Sequence, residues 1–427
     1  MKSEQHLRTV GITFVIQIIS AVLGFGLQIL IARNVSTETY GELGILINYG
    51  TTLSFFVLFG VNTYVLRKIS TLDIAENKEE ISKLYFDSIF FVLSNSAITF
   101  VFLLLVHLVV PITIIDMSLS NVLIFIGFTL SLAAIFLLQN IDRALGYMIR
   151  SIAPTSIFKS LIIMAIFILI LNLNVEINVQ TLFFLYVVSS LLLSFYYLVK
   201  QIPLLNFNLS ESRVGYKRLF ISSKDYFVNR ISHNFLKSLD LIFIDLLLTS
   251  FDAGVFLASL RIRIIIMFGL NAMNVVFSPD IAKLYKEGKI GELNEIIKKA
   301  NYLIFAFSLL FVMGVLLFSK SILSVFGNDY IEGSTVLIII CLANLVEATF
   351  GMTGSILNMT GNQRYYNKVI FLLLFLYVIS APIFLNLWGL LGSAVLILSI
   401  TLVKNILEWK YIYSKLKIKT GIISNII

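Results

Sequence analysis

The 427-residue sequence is poor in the residues that build disulfide frameworks and metal sites. It contains one cysteine, Cys341, and three histidines, His6, His107 and His233. A lone cysteine excludes a disulfide framework, and the histidines are too far apart in sequence to match a zinc-binding spacing. Five prolines and 23 glycines also argue against a disordered or low-complexity chain.

Charged residues are scarce, at 13% of the chain, whereas 58% of the residues are hydrophobic. Soluble domains carry about 25% charged residues, and they rarely expose large apolar patches. A mean hydropathy of +0.95 therefore indicates an integral membrane protein. The net charge of +8 then bears on membrane orientation rather than on nucleic acid, which we do not expect as a partner.

Long apolar runs predict an all-α membrane protein with about twelve transmembrane helices. Each run is near or above the roughly 20 residues that a spanning helix needs, and none alternates as a membrane β-barrel would. The predicted spans are residues 9–32, 42–66, 85–109, 117–139, 154–173, 180–200, 219–248, 252–276, 299–319, 332–358, 366–386 and 389–412.

The distribution of Lys and Arg predicts the orientation. With the N-terminus inside, 25 of the 32 basic residues lie in or beside cytoplasmic segments, and only Arg33 and Lys320 lie in external loops. Both termini are therefore predicted to be cytoplasmic. Lys404 is assigned to the inner end of a helix, from which a lysine reaches the interface.

A weak internal repeat divides the chain into two pseudo-symmetric six-helix lobes. A shift of 213 residues places residues 37–41 (TETYG) over residues 250–254 (SFDAG). We predict an N-terminal lobe at 1–200, a cytoplasmic linker at 201–218 and a C-terminal lobe at 219–427. In transporters built from such parallel repeats, the substrate path lies between the repeats.

The seventh predicted helix carries a polar stripe. At 100° per residue one face holds Ser222, Tyr226, Asn229, Arg230, His233, Lys237 and Asp240. Charges at the bilayer centre are costly, so this face is predicted to line protein or a water-filled, cationic cavity that binds an anion. The alternative is an intrahelical ladder of ion pairs, with Asp240 neutralising Lys237, that only joins this helix to a neighbour.

Other helices add candidate lining residues. Helix two contributes Asn48, which the repeat places over Arg261. Helix one has a milder polar stripe, which consists of Thr13, Gln17, Ser20, Gly24 and Gln28. Arg261 and Arg263 point to nearly opposite sides of their helix, and the repeat favours Arg261 for the cavity. Asp240 and Glu347 are candidate acceptors of a coupling ion, with pairing to a nearby base as the alternative for each.

No motif for catalysis or nucleotide hydrolysis is present, so no enzyme activity or cofactor is predicted. A proton gradient, a sodium gradient or the substrate gradient would then supply the energy for transport.

Five short motifs lie in order along nearly the whole chain. They are residues 32–42 (ARNVSTETYGE), 239–254 with Leu239-Asp240 and SFDAG, 279–285 (PDIAKLY), 326–330 (FGNDY) and 387–394 (LWGLLGSA). Together they resemble the motifs of the Wzx-type O-antigen and capsule flippases, which belong to the multidrug/oligosaccharidyl-lipid/polysaccharide (MOP) exporter superfamily. Ser393 stands where that family usually has an alanine.

This resemblance implies alternating access between two lobes. The implied activity is translocation of an undecaprenyl-pyrophosphate-linked oligosaccharide from the inner to the outer leaflet of a bacterial plasma membrane, for O-antigen or capsule synthesis. A polysaccharide polymerase and a chain-length regulator are the implied protein partners. Members of this family diverge too far for their lumen residues to be identified in this chain from the motifs. The candidate site residues are therefore chosen from helical geometry.

Three alternatives remain open at this stage. A cation-coupled drug exporter of the same superfamily would need an acidic or aromatic lumen, whereas bases dominate here. A lipid II flippase usually has fourteen helices and a longer chain. A polymerase or glycosyltransferase would need a large external loop or an acidic metal-binding loop, and neither is apparent.

Overall fold

A computed structural model describes residues 2–74, 76–109, 119–173, 176–204 and 215–422. Within those ranges all regular structure is helical and no strand occurs. A helix satisfies its backbone hydrogen bonds internally, which is what an apolar segment in lipid requires. The predicted all-α class is confirmed.

Fourteen α-helices make up most of the described chain. They are α1 (Lys2–Asn34), α2 (Thr37–Leu58), α3 (Val61–Ser70), α4 (Lys78–Val109), α5 (Leu119–Ala144), α6 (Met148–Ala153), α7 (Lys159–Asn172), α8 (Val179–Gln201), α9 (Tyr216–Leu247), α10 (Ser250–Lys286), α11 (Ile290–Ser324), α12 (Ser334–Phe350), α13 (Thr353–Met359) and α14 (Gln363–Tyr411). A π-helical turn at Pro154–Phe158 joins α6 to α7.

Nine segments of the described chain are long and apolar enough to cross a membrane. The last of them, Gln363–Leu416, turns back at Gly389, where φ is 55°. The rings of Tyr365 and Tyr411 stack with centroids 3.8 Å apart, so the two arms of α14 are antiparallel and represent two crossings. Helices α9 and α10, with 32 and 37 residues, are also long enough to span a membrane and complete the predicted twelve.

Two predicted helices are interrupted, which corrects the expected continuous spans at 42–66 and 332–358. Gly60, with φ of 76°, separates α2 from α3, and Gly351, with φ of 78°, separates α12 from α13. A Cβ atom on Gly60 would lie 2.7 Å from the Ser223 carbonyl oxygen, so the chain also approaches α9 closely there. Positive φ and close approach both favour glycine at this position.

The chain forms two compact units. Unit 1 comprises Met1–Ile31 and Ile45–Phe235, and unit 2 comprises Ala32–Gly44 and Leu236–Ile427. Helix α9 contributes its first part to unit 1 and its last part to unit 2. The internal repeat was the basis for the predicted lobes at 1–200 and 219–427 and for the linker at 201–218. The compact units are defined by packing instead, so these boundaries remain a prediction.

The two segments that the repeat aligns contact each other reciprocally within unit 2. A Cβ atom on Gly41 would lie 1.9 Å from the Ser250 carbonyl oxygen, and one on Gly254 would lie 2.2 Å from the Thr37 carbonyl oxygen. The shift of 213 residues places Thr37 over Ser250 and Gly41 over Gly254, so it converts one of these two contacts into the other. This local two-fold relation is what an internal repeat produces, and it requires glycine on both helices.

Each unit buries its own apolar core and exposes apolar side chains outward. In unit 1, Val57, Val65 and Tyr197 belong to one buried cluster, and in unit 2 Ile297 and Ile356 belong to another. Large hydrophobic side chains on α11 and α14 are exposed. Such surfaces suit lipid rather than water.

Candidate functional site

The polar stripe predicted for the seventh span lies on helix α9 and is shared between the two units. Arg230 and Tyr226 belong to unit 1, whereas Lys237 and Asp240 belong to unit 2. The side chains of Asn229 and His233 lie outside the described residues. The two parts of the stripe have different surroundings.

In unit 1, Arg230 is half-buried beside α2 and α3. Its Nη1 atom donates to the Thr63 hydroxyl at 3.5 Å, and its guanidinium lies 5.4 Å from the centre of the Phe55 ring. Its Nε atom is buried and has no hydrogen-bond partner among the described residues. An arginine with an unused buried donor is suited to an anionic ligand.

Two further arginines accompany Arg230 in unit 1. The Arg67 guanidinium lies 5.4 Å from the ring centre of Tyr226, and Arg143 is close enough to Arg230 for electrostatic repulsion. Within the described ranges, no salt bridge includes any of these three residues. We name Arg67, Arg143 and Arg230 the unit 1 arginine group, and no described carboxylate forms a salt bridge with it.

In unit 2, Asp240 is buried and accepts a hydrogen bond from the Tyr377 hydroxyl of α14. Lys237 is exposed, and no salt bridge joins it to Asp240 in the part of the chain that is described. The ladder in which Asp240 neutralises Lys237 is therefore not formed here. Lys237 instead interacts electrostatically with Glu347, Lys404 and Arg263.

Residues of α10, α12, α13 and α14 complete this group of polar side chains in unit 2. Lys404 donates to Glu347 at 2.7 Å, and Arg263 donates through Nε to the Asn344 amide oxygen at 3.1 Å. Glu408 is fully buried and accepts from the Thr353 hydroxyl at 2.6 Å, while its Oε1 atom has no described partner.

We name these residues the unit 2 polar cluster. Its ionisable members are Lys237, Asp240, Arg263, Glu347, Lys404 and Glu408. The three bases and three acids give no net formal charge when all are ionised. The cluster therefore resembles a matched ionic network rather than a cationic surface.

The remaining predicted residues are not members of this cluster. Arg261 interacts with the Tyr40 hydroxyl in unit 2, and its Nε atom is buried without a described partner. Asn48 is half-buried and Gln17 is exposed, both in unit 1. The structure thus brings Arg263, rather than the favoured Arg261, to Lys237 and Glu347.

Part of the helix-one stripe has a packing role. Ser20 donates to the Ser156 carbonyl at 3.0 Å, and Gln28 donates to the Tyr186 hydroxyl at 3.2 Å. Lys159 lies 5.9 Å from the same tyrosine ring centre. These contacts join α1, α7 and α8 inside unit 1.

Sequence reasoning missed two members of the unit 2 polar cluster. Lys404 was assigned to the interface but pairs with Glu347, and Glu408 was not singled out. Lys404 and Glu408 are four residues apart and so lie on one face of a helix, and this spacing was the signal in the sequence that could have identified them. In the described part of the chain, no group of three or more His, Cys, Asp or Glu residues is arranged to hold a metal ion.

A family model described as "Polysaccharide biosynthesis protein" matches residues 6–285. The chain belongs to this family. The resemblance drawn from the sequence motifs is therefore confirmed at the family level.

One curated relative of this chain is the capsular polysaccharide biosynthesis protein CapF of Staphylococcus aureus. The two are 25% identical over 167 residues, which cover 39% of this chain and 42% of CapF. The match thus spans less than half of either protein.

Solved transporter structures share the fold. The lipid II flippase MurJ, in an inward closed conformation, matches with a TM-score of 0.72 and 14% identity over 96% of this chain and 88% of that one. An inward-facing multidrug resistance MATE family transporter of the MOP superfamily matches with a TM-score of 0.70 and 15% identity over 92% and 93%. The protein is thus a multi-pass membrane protein with a MOP-superfamily fold.

Proposed function

We propose that the protein is a flippase that moves an undecaprenyl-pyrophosphate-linked oligosaccharide from the inner to the outer leaflet by alternating access. The observation that carries this proposal is the unit 1 arginine group, in which Arg230 keeps a buried donor without a partner. Membership of the polysaccharide biosynthesis family supports the substrate class.

The chemistry of the substrate matches this group. A pyrophosphate is strongly hydrated, so its removal from water must be compensated by fixed cations and hydrogen-bond donors. Arginine offers a planar fork of donors that suits phosphate oxygens. The polyprenyl tail needs no polar path because it remains in the lipid while the head group crosses.

The proposed substrate-contacting residues are those of the α9 stripe and its repeat-related positions. They are Tyr226, Asn229, Arg230, His233, Lys237, Arg261, Gln17 and Asn48. Asp240 and Glu347 are proposed to take part in coupling to a proton or sodium gradient. Each now has a partner, Tyr377 and Lys404, so ion binding would require exchange of that partner.

The proposed location is the bacterial plasma membrane, with both termini in the cytoplasm. This orientation rests on the excess of Lys and Arg in the predicted inner segments. A polysaccharide polymerase and a chain-length regulator are the proposed partners, since a flipped repeat unit must be consumed on the outer face.

Arg230 is the residue on which to test the transport proposal. In a strain whose surface glycan depends on this protein, Arg230→Ala should lower surface glycan about tenfold, the effect of losing one charge-assisted contact. Arg230→Lys should retain an intermediate amount because the charge remains but the fork is lost. Surface glycan is measured per amount of inserted protein.

Arg364→Ala is the matched control, since Arg364 is an exposed arginine on α14. It should export glycan at the wild-type level. Normal export by Arg230→Ala would contradict the proposal. Drug resistance conferred on a strain that lacks its own exporters would favour the drug exporter instead.

A further inference from the structure

A cavity of about 620 Å³ opens in unit 1 at the ends of three candidate membrane spans. It lies where α5 ends, α6 begins and α8 ends. Its lining includes Tyr147, Arg150, Phe158, Tyr196 and Lys200. The volume falls within the range of small-molecule sites, roughly 300–1,000 Å³.

Arg150 is held in place by a buried carboxylate. Its Nε and Nη2 atoms donate to the two oxygens of Asp142 at 2.9 and 2.5 Å, and Asp142 has no solvent exposure. Gln201 donates to Asp142 Oδ1 at 2.8 Å, and the Arg150 guanidinium lies 4.0 Å from the Tyr147 ring centre. The guanidinium is thus oriented before any ligand arrives, and it keeps donors unused by Asp142.

The lining is positively charged. It contains two cations, Arg150 and Lys200, and no carboxylate. Asp142 neutralises Arg150 formally, so the exposed Lys200 leaves the cavity with a net positive charge. The complementary ligand is an anion.

The position relative to the membrane narrows the choice of anion. The spans Asn121–Ala144, Met148–Asn172 and Val179–Gln201 all end at this cavity, so it lies at the level of the lipid head groups. Tyr147, Met148 and Phe158 at its margin are exposed, as aromatic and apolar residues at an interface often are. A ligand here has a charged part in the cavity and an apolar part in the bilayer.

We propose that this cavity binds the phosphodiester head group of an anionic phospholipid of the surrounding bilayer. The guanidinium of Arg150 and the ammonium of Lys200 hold the phosphate, and the apolar margin contacts the acyl chains. Basic pockets between membrane helices are a known means of recognising lipid head groups. The inference does not depend on the proposed transport substrate.

Native mass spectrometry of the full chain tests this site. The protein is released from nanodiscs that contain equal amounts of phosphatidylglycerol and phosphatidylcholine, and retained lipids are counted. Wild type should retain phosphatidylglycerol in preference. Lys200→Glu should reduce this preference about tenfold, and Lys200→Arg should preserve it.

Lys298→Glu provides the matched control, because Lys298 is an exposed lysine of unit 2 that does not belong to the lining of the cavity. It should retain phosphatidylglycerol as wild type does. Equal retention of the two lipids by wild type, or equal preference in Lys200→Glu and Lys298→Glu, would overturn the proposal. Displacement of phosphatidylglycerol by inorganic phosphate would assign the cavity to free phosphate and overturn it as well.

Discussion

The unit 1 arginine group and the unit 2 polar cluster differ in how their charges are matched. Both draw on helix α9, and both contain bases in membrane segments. In unit 1, Arg230 has a hydroxyl and an aromatic ring as neighbours. In unit 2, Lys404 has a carboxylate at 2.7 Å.

This difference separates two uses of a buried cation. A base with its own carboxylate stabilises the protein only together with that partner, and removal of either leaves a buried charge. A base without a carboxylate keeps its capacity to bind an anion from outside. The number of basic residues in membrane segments does not distinguish these two kinds of base, whereas the side chains in contact with each base do.

The largest effect on stability is expected when the charge match in unit 2 is broken. Glu347→Ala leaves Lys404 without its carboxylate in a mostly buried position, so we expect a loss of about 3 kcal/mol in the free energy of unfolding. Denaturant titration of the detergent-solubilised protein measures this loss. A loss below about 1 kcal/mol would show that the pair behaves like an exposed one.

A smaller effect tests the close glycine contacts inside unit 2. Gly254→Ala places a methyl group against the Thr37 carbonyl, and Gly41→Ala does the same against Ser250, so each should cost about 2 kcal/mol. Gly127→Ala in unit 1 meets nothing within 4 Å and should be neutral or stabilising by up to about 1 kcal/mol. Equal stability of Gly254→Ala and Gly127→Ala would rule out the close contact.

The smallest change in stability is expected for Arg230→Ala. It removes one long hydrogen bond and one ring contact but leaves no carboxylate unpaired, so the cost should stay below about 1 kcal/mol. The same titration measures it. A loss as large as that of Glu347→Ala would assign Arg230 a structural role and remove the contrast between the two groups.

Most of the fold could be predicted because membrane segments obey simple rules of length and composition. Apolar runs of about 20 residues indicated the crossings. The interruptions at Gly60 and Gly351 could not be seen, since each lies in an apolar run that continues on both sides. At each of these glycines φ is positive and the chain lies close to a residue that is distant in sequence, Ser223 for Gly60 and Asn301 for Gly351.

The candidate site was less predictable than the fold. Periodicity identified the α9 stripe but not the neighbours of its residues. Arg261 was preferred over Arg263 because of the repeat alignment, yet Arg263 bonds to Asn344, which is 81 positions away. Likewise, the pairing of Lys404 with Glu347 joins α14 to α12, and no local pattern indicates it.

By itself the amino-acid sequence determined that the chain is helical and crosses a membrane repeatedly. These properties follow from hydropathy and local periodicity, which act along the chain. Only the tertiary structure decided which buried bases have carboxylate partners, because pairing depends on packing between distant helices. Among the described residues, that packing left Arg230 without a carboxylate partner and placed Lys404 against Glu347.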